Sequence, residues 1–142
     1  AGGRAILEDC RKIRATLFPE GLPTGGAVLT TAGNMRARHV IHTVGPVYGS
    51  GGADKAEKLA ECYRNSIGIA AESGLSTVAF PAISTGVYGF PKVEAAAVSS
   101  RAIEEALHSN PSIRKVRLVF FLGGDAEVFL RHQVFDTNSP AD

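Results

Sequence analysis

The second half of the chain alternates helix-like and strand-like segments, and this order limits the possible folds more than any other feature of the sequence. Apolar residues recur at helical spacing over 59–70, 93–107 and 125–135. Between these segments lie "STVAFPAI" and "RKVRLVFFL", which are rich in β-branched and aromatic residues. Apolar strands that alternate with helices are typical of a sheet covered by helices on both faces. The sequence therefore predicts a three-layer α/β domain with strands near 77–83 and 115–122.

The first half adds one helix and two strands. "GRAILEDCRKI" has helical spacing of its apolar residues and ends in a loop rich in proline and glycine. "AVLTT" and "RHVIHTVGP" predict short strands near 27–31 and 38–44. Asp54 and Glu57 have the spacing of a capping box at the start of the next helix. The whole fits one domain over residues 1–136, with 137–142 as a flexible tail.

Composition makes several classes of partner unexpected. The chain has 15 Lys and Arg against 14 Asp and Glu, so no overall field favours nucleic acid, which makes nucleic acid an unexpected partner. There is no apolar run of about 18 residues, so we expect no membrane association. Two cysteines, Cys10 and Cys62, lie on apolar helix faces, as expected of buried thiols in a reducing compartment. We therefore expect a cytoplasmic protein.

The stretch "AISTGVYGFP" at 82–91 is the strongest candidate site. It follows a strand and precedes a helix, where ligands collect in open α/β sheets, and it carries no charged residue. Glycines at 86 and 89 permit positive φ and close backbone approach, so consecutive amides can form an anion-binding nest beside a helix N-terminus. Ser84 and Thr85 add hydroxyls, and the ring of Tyr88 can cover a sugar. A diphosphate joined to ribose fits this pattern, although a loop that merely turns the chain has a similar composition.

Other residues give weaker signals. His42 lies within a strand, where a hydrogen-bonded core imidazole is the expected role, and the other histidines have no metal-ligand spacing. Two basic clusters, Arg36–His39 and Arg114–Arg117, are expected at solvated strand ends, with RNA binding as the alternative. Spacing shows no Ser/His/Asp or Cys/His arrangement for nucleophilic catalysis. No motif calls for a cofactor or a metal.

Three stretches of the sequence resemble the macrodomain family, most closely its MacroD-type branch. They are "VIHTVGPVYG" at 40–49, "LAECYRNSIGIAAESGLSTVAFPAISTGVYGFP" at 59–91 and "AAAVSSRAIEEAL" at 95–107. The resemblance implies a three-layer α/β/α fold with a mixed central sheet. It also assigns a ligand-binding role to these residues: Ser84, Thr85, Gly86, Val87, Tyr88, Gly89, Phe121 and Leu122. In this scheme 84–88 is the second phosphate loop, Tyr88 lies beside the distal ribose, and Phe121 and Leu122 pack the adenine.

One departure from the family concerns the start of the chain. Family members begin with a block that holds two strands, an adenine-reading Asp, a first glycine loop and the catalytic Asp and His. "AGGRAILEDC", which starts at Ala1, is similar to the residues that follow that block. The resemblance therefore implies that the family's N-terminal strands and its catalytic Asp and His lie upstream of Ala1. The catalytic residues within these 142 residues are unknown.

The resemblance implies a function in ADP-ribose chemistry. MacroD-type proteins bind ADP-ribose, remove mono-ADP-ribose from acidic side chains and deacetylate O-acetyl-ADP-ribose, so the expected partners are ADP-ribose, ADP-ribosylated proteins and O-acetyl-ADP-ribose. We expect a hydrolase in the full-length protein and no activity from this chain alone. The alternative is a non-catalytic reader of ADP-ribose.

Overall fold

The computed structural model describes residues 1–49 and 54–136 and contains four helices and four strands in those ranges. In chain order they are α1 (Arg4–Thr16), β1 (Ala27–Thr31), β2 (His39–Thr43), α2 (Lys55–Glu72), β3 (Thr77–Pro81), α3 (Lys92–Ser109), β4 (Lys115–Val119) and α4 (Gly123–His132). The alternation predicted from the sequence is confirmed.

The strands form two separate pairs. β1 and β2 are antiparallel, with Leu29 opposite Ile41. β3 and β4 are parallel, with Ala79 opposite Arg117, and α3 forms the crossover between them. β2 and β3 are not hydrogen-bonded to each other. The mixed sheet predicted for this fold is therefore present as an antiparallel half and a parallel half.

Helices cover the two halves differently. In β2, Ile41 packs against the core, whereas the next side chain, His42, contacts Cys10 of α1. Because successive side chains of a strand point to opposite faces, α1 lies on one face of the β1–β2 pair and the core on the other. In β3, by contrast, Phe80 is buried and Ala79 is exposed. Among the described residues, only one face of the β3–β4 pair is covered, so the three layers are complete at the antiparallel half alone.

The core lies between the sheet and the pair α2 and α3. Small residues let the two helices pack closely. The fully or nearly fully buried side chains at this interface include Leu59, Cys62, Ile67, Ala96, Ala102 and Ile103. The Tyr63 ring lies 5.0 Å from that of Phe80, which joins α2 to β3. This packing fixes the end of β3 and hence the loop that follows it.

Some local predictions were wrong. Asp54 is the N-cap of α2 but makes no side-chain capping bond, and Glu57 bonds Arg64 instead, so the capping box does not form. β3 and β4 end at Pro81 and Val119, before the expected 83 and 122, because the chain turns away into the loops there.

The boundaries of the predicted domain are only partly described. Residues 137–142, predicted to be a tail, lie outside the described residues. Across the two described ranges, no helix combines the length and the apolar character needed to cross a membrane.

Candidate functional site

The parallel pair places two loops at one edge of the sheet. Pro81 and Val119 are register partners at the carboxyl ends of β3 and β4. The loop 82–91 and the segment 120–122 therefore leave the sheet side by side. α3 begins directly after the loop, so its N-terminal amides and dipole lie at the same edge.

The backbone of the loop 84–89 leaves a row of donors unpaired. Its turn is closed by two bonds: the Phe90 N–H donates to the Ser84 carbonyl at 2.9 Å and the Gly89 N–H to the Gly86 carbonyl at 3.0 Å. The N–H groups of residues 85–88 donate to no acceptor within the described part of the chain. Gly86 and Val87 are exposed. Four consecutive free amides on an exposed turn are able to bind an anion.

Positive φ occurs at a different position from the one predicted. Gly89 has φ 71°, as expected, but Gly86 is not in this region, and Ser84 is, with φ 63°. A non-glycine residue in the left-handed region is strained by about 1–3 kcal/mol, and such residues cluster at ligand sites. Serine at this position could not have been recognised as strained from the sequence, because serine ordinarily adopts negative φ.

The Ser84 hydroxyl is buried and has no hydrogen-bond partner among the described residues. It lies against Gly45 in the loop that follows β2. A Cβ at Gly45 would come within 2.2 Å of Ser84 Oγ and 2.7 Å of Ile83 Cγ2. Gly45 is therefore required for the close approach of the two loops. The sequence shows Gly45-Pro46 only as the end of a strand, so this role was missed.

Two tyrosines join the loops above this contact. The Tyr48 N–H donates to the Tyr88 carbonyl at 2.9 Å. The Tyr48 ring packs against Phe90 with centroids 5.0 Å apart. Both tyrosines are about two-fifths exposed, at 41% and 43%, so their rings form an aromatic rim beside the free amides. Tyr48 was not singled out from its spacing, although it lies in the stretch that carries the family resemblance.

Phe121 and Leu122 project from the neighbouring segment. Phe121 is fully exposed and Leu122 is more than half exposed. Phe120 instead packs on Phe129 of α4, with ring centroids 5.4 Å apart. Phe120 is thus partly buried against α4, whereas the two apolar side chains that follow it are exposed and can contact a ligand.

A small cavity of about 30 Å³ lies beneath this edge, and residues of the loop 82–91, the segment 120–122, α3 and α4 line it. Thr85, Phe120, Lys92 and Asp125 are among the residues that line it. Lys92 Nζ lies 2.6 Å from Asp125 Oδ1, so an ion pair joins the first turns of α3 and α4. Tyr63 also lines the cavity, and burial raises its pKa to about 12.

The other residues that the sequence suggested as functional candidates lie outside this site. The Thr30 hydroxyl accepts a bond from His42 Nε2 at 2.9 Å, which confirms His42 as a hydrogen-bonded residue under α1. Burial raises the pKa of the Cys62 thiol, and the thiol donates to the Val44 carbonyl. Within 1–49 and 54–136, no group of three or more His, Cys, Asp and Glu could hold a metal ion.

The catalytic residues are not assigned by this geometry. The placement of the family's catalytic Asp and His upstream of Ala1 stays a prediction, because Ala1 is the first residue that the structure describes. Ala1 is exposed, and the Asn34 N–H donates to the carbonyl of the next residue, Gly2, at 2.9 Å. Ala1 therefore lies beside the turn between β1 and β2, at the opposite end of the strands from the loop 84–89.

Sequence comparison identifies the family. The sequence model of the Macro domain matches residues 1–99. A macro domain-containing protein of Streptomyces nogalater is 52% identical over 120 residues, which are 84% of this chain and 64% of that protein. An O-acetyl-ADP-ribose deacetylase of Cronobacter sakazakii is 42% identical over 133 residues, covering 94% of this chain and 71% of that protein.

Structural comparison agrees. A macrodomain variant from Oceanobacillus iheyensis, determined with ADPR, superposes with a TM-score of 0.86 at 35% identity and covers 93% of this chain and 71% of the other. Sequence and fold thus lead to one assignment, and the chain belongs to the macro domain family.

Proposed function

We propose that the loop 84–89 binds the diphosphate of ADP-ribose through its backbone amides. The observation that carries this proposal is the row of unpaired N–H groups at 85–88 on an exposed turn at the start of α3. The loop itself contains no charged residue, so amides and the helix dipole have to bind the anion. The ADPR-containing relative and the deacetylase relative support this choice of ligand.

The neighbouring side chains fit the two ends of that ligand. Phe121 and Leu122 present apolar surface for the adenine, and Tyr88 presents a ring face for the distal ribose. The strained Ser84, whose hydroxyl lies against Gly45, holds the turn in the conformation that exposes its amides. Together these residues would orient the ligand along the edge of the sheet.

The full-length protein is proposed to be a hydrolase of the MacroD type, acting on mono-ADP-ribose attached to acidic side chains and on O-acetyl-ADP-ribose. Binding of the diphosphate would present the distal ribose C1″ to a water, so that orientation lowers the barrier more than acid–base strength does. Release of ADP-ribose from a glutamate-modified protein, together with acetate release from O-acetyl-ADP-ribose, is the expected result. Binding without either release would assign the protein as a reader.

Gly86→Glu tests the binding site. A Cβ at Gly86 meets nothing within 4 Å, so the new side chain is accommodated by the fold while its carboxylate occupies the place of the diphosphate. Calorimetry with ADP-ribose on the full-length protein should show affinity lowered by about a hundredfold or more, because each charge-assisted bond contributes about 1.5–3 kcal/mol.

Gly68→Glu is the matched control. Gly68 lies in the second half of α2, away from the loop 84–89. A Cβ at Gly68 also meets nothing within 4 Å. Its substitution should leave ADP-ribose affinity unchanged. Equal affinities of wild type and Gly86→Glu would show that the diphosphate binds elsewhere.

A further inference from the structure

The loop 84–89 lies between two other segments at its edge of the sheet. On one side β3 pairs with β4, so the segment 120–122 leaves the sheet beside the loop. On the other side is the loop that follows β2, where the Tyr48 N–H donates to the Tyr88 carbonyl at 2.9 Å. A ligand that runs along this edge from 120–122 and across the loop 84–89 therefore reaches Tyr48 last.

The proposed function gives the ligand a direction along this edge. In that complex the adenine lies at Phe121 and Leu122, and the distal ribose lies at Tyr88. The side chain of a modified protein is attached to C1″ of that ribose, so it leaves the site on the side of Tyr88 that is remote from the adenine. The modified polypeptide consequently passes over the surface next to Tyr88.

Four exposed residues form that surface, which is called the lip below: Tyr48, Val87, Tyr88 and Glu94. Val87 is fully exposed, and each tyrosine has about two-fifths of its surface in water. Aromatic side chains are enriched at protein interfaces, and exposed apolar surface next to them is a common feature of such sites. The lip therefore has the composition of a contact surface for polypeptide.

The lip is held in place by the residues around it. The Tyr48 ring packs edge-on against the buried Phe90 ring, with centroids 5.0 Å apart. The Tyr48 hydroxyl lies 3.5 Å from Glu94 Oε2, at the outer limit of a hydrogen bond. Together with the backbone bond to Tyr88, these contacts fix the Tyr48 ring. Binding to a preorganised surface loses less free energy to the ordering of side chains.

Glu94 gives the lip a negative charge. Its carboxylate is exposed in the first turn of α3, and the ion pairs found between described residues do not involve it. The basic residue of the same turn, Lys92, is paired with Asp125 of α4. A residue of the partner that contacts the lip is therefore favoured when it is positive and disfavoured when it is acidic.

An arginine side chain matches the lip in two ways. Its guanidinium can pair with a carboxylate through two hydrogen bonds, and it can also stack on an aromatic ring. Glu94 lies at the hydroxyl end of the Tyr48 ring, so one arginine can make both contacts. Lysine can supply the charge, but it lacks the planar group that both bonds the carboxylate and stacks on the ring.

We propose that the lip binds the polypeptide that carries the ADP-ribose, and that it selects an arginine next to the modified residue. Successive Cα atoms are about 3.8 Å apart, so a neighbouring residue stays close to the ribose while its side chain extends to Tyr48 and Glu94. Contacts outside the nucleotide then give specificity for the modified protein. This inference rests on the proposed function, because the bound nucleotide has to place the polypeptide over the lip.

Binding of modified peptides to the full-length protein tests the proposal. The probes are two short peptides that carry ADP-ribose at C1″ through a triazole, which is not hydrolysed. They differ only in having Arg or Glu on both sides of the modified residue. Fluorescence anisotropy should show that the Arg peptide binds about fivefold more tightly than the Glu peptide. Free ADP-ribose, measured by competition, reports on the nucleotide site alone.

Charge reversal at Glu94 gives the sharpest readout. Glu94→Lys should reverse the preference, so that the Glu peptide binds about threefold more tightly than the Arg peptide. Glu105→Lys is the matched control, because Glu105 is exposed on the same helix near its other end and should not affect the preference. Tyr48→Ala should reduce the preference, since the ring on which the arginine stacks is lost. Each comparison is made between two peptides on one protein, so a change in nucleotide affinity cancels.

The outcomes distinguish the lip from the nucleotide site. Equal affinities of the two peptides for the wild type, or a preference that Glu94→Lys leaves unchanged, would overturn the role of the lip while free ADP-ribose still binds. Tighter binding of the Glu peptide to the wild type would also overturn it. A wild type that does not bind free ADP-ribose would instead overturn the proposed function, and this inference with it.

Discussion

Individual residues at the site act mainly through shape and backbone conformation. Ser84 adopts a positive φ, Gly45 permits close contact, and Tyr88 contributes its carbonyl to a bond with Tyr48 and its ring to the rim. Because the Tyr88 bond uses a backbone atom, side-chain changes at this position leave the loop contact intact. Substitutions of Tyr88 therefore test the role of its side chain alone. Substitution of the buried Tyr63 tests the effect of its ionisation on stability.

The ring face of Tyr88 should matter for turnover. Tyr88→Ala in the full-length protein should lower the rate of ADP-ribose release from a modified protein by about tenfold, with a smaller loss of ADP-ribose affinity, because a misplaced ribose reacts slowly even when bound. Tyr88→Phe should retain both the release rate and the ADP-ribose affinity, because the Tyr88 hydroxyl bonds no described residue. Single-turnover rates and calorimetry separate the two effects. A Phe variant as damaged as the Ala variant would contradict a stacking role.

Tyr63 should make stability depend on pH in the alkaline range. Burial raises its pKa to about 12 from an ordinary value near 10, so the folded state retains the proton that the unfolded state releases. This contribution to stability is complete below about pH 10 and is lost as the pH rises toward 12. Urea unfolding of the full-length protein between about pH 8 and about pH 11 should show a steeper loss in wild type than in Tyr63→Phe. Parallel curves would show that Tyr63 ionises equally in both states.

At the scale of elements, the site depends on how two loops and two helices are held together. The loop after β2 contacts the loop after β3 through Gly45 and Tyr48, and the ion pair of Lys92 and Asp125 joins α3 to α4. Both side chains of that pair are partly exposed, so it contributes at most about 1 kcal/mol. The close contact between the two loops therefore constrains the geometry of the site more than this ion pair does.

Gly45→Ala should therefore weaken ligand binding by displacing Ser84. The added Cβ would overlap Ser84 Oγ and Ile83 Cγ2, and overpacking of this kind costs about 1–3 kcal/mol. ADP-ribose affinity of the full-length protein should fall by roughly tenfold in calorimetry. Gly49→Ala is the control, because its Cβ would meet nothing within 4 Å. Equal affinities of the two variants would show that the loops adjust without moving the amides.

At the scale of the whole molecule, the described residues leave the sheet divided and one face of β3 and β4 uncovered. Strand edges and apolar side chains that stay in water contribute no stabilisation, and a domain is stable by only about 5–15 kcal/mol. The packing that remains lies mostly between α2 and α3.

The 142-residue chain alone should consequently fail to unfold cooperatively and should show no de-ADP-ribosylation. Urea titration followed by circular dichroism should give a broad transition, and size-exclusion chromatography should show an expanded or associated species. A compact monomer with one sharp transition would contradict this expectation. Measurable release of ADP-ribose by the chain would place the catalytic groups between Ala1 and Asp142 rather than upstream of Ala1.

The sequence by itself determined the order of the elements and the position of the site. A period of 3.6 residues in the apolar positions indicates a helix, and a run of β-branched residues indicates a strand. Because both patterns are local, the helices and strands could be located to within a few residues. The segment "AISTGVYGFP" indicated a ligand loop because its residue types and its place after a strand are local properties. The family resemblance, carried by the same segment, is confirmed by the comparisons.

Only the tertiary structure decided how distant segments meet. The sequence shows neither that Ser84 has a positive φ nor that Gly45 lies against it, because the two positions are far apart in the chain and their contact depends on the spacing of β2 and β3. The division of the sheet into two pairs also depends on tertiary structure. Local sequence specifies each strand, but the packing of the whole chain determines which strands are neighbours. The gap between β2 and β3 is therefore visible only once the strands are placed in space.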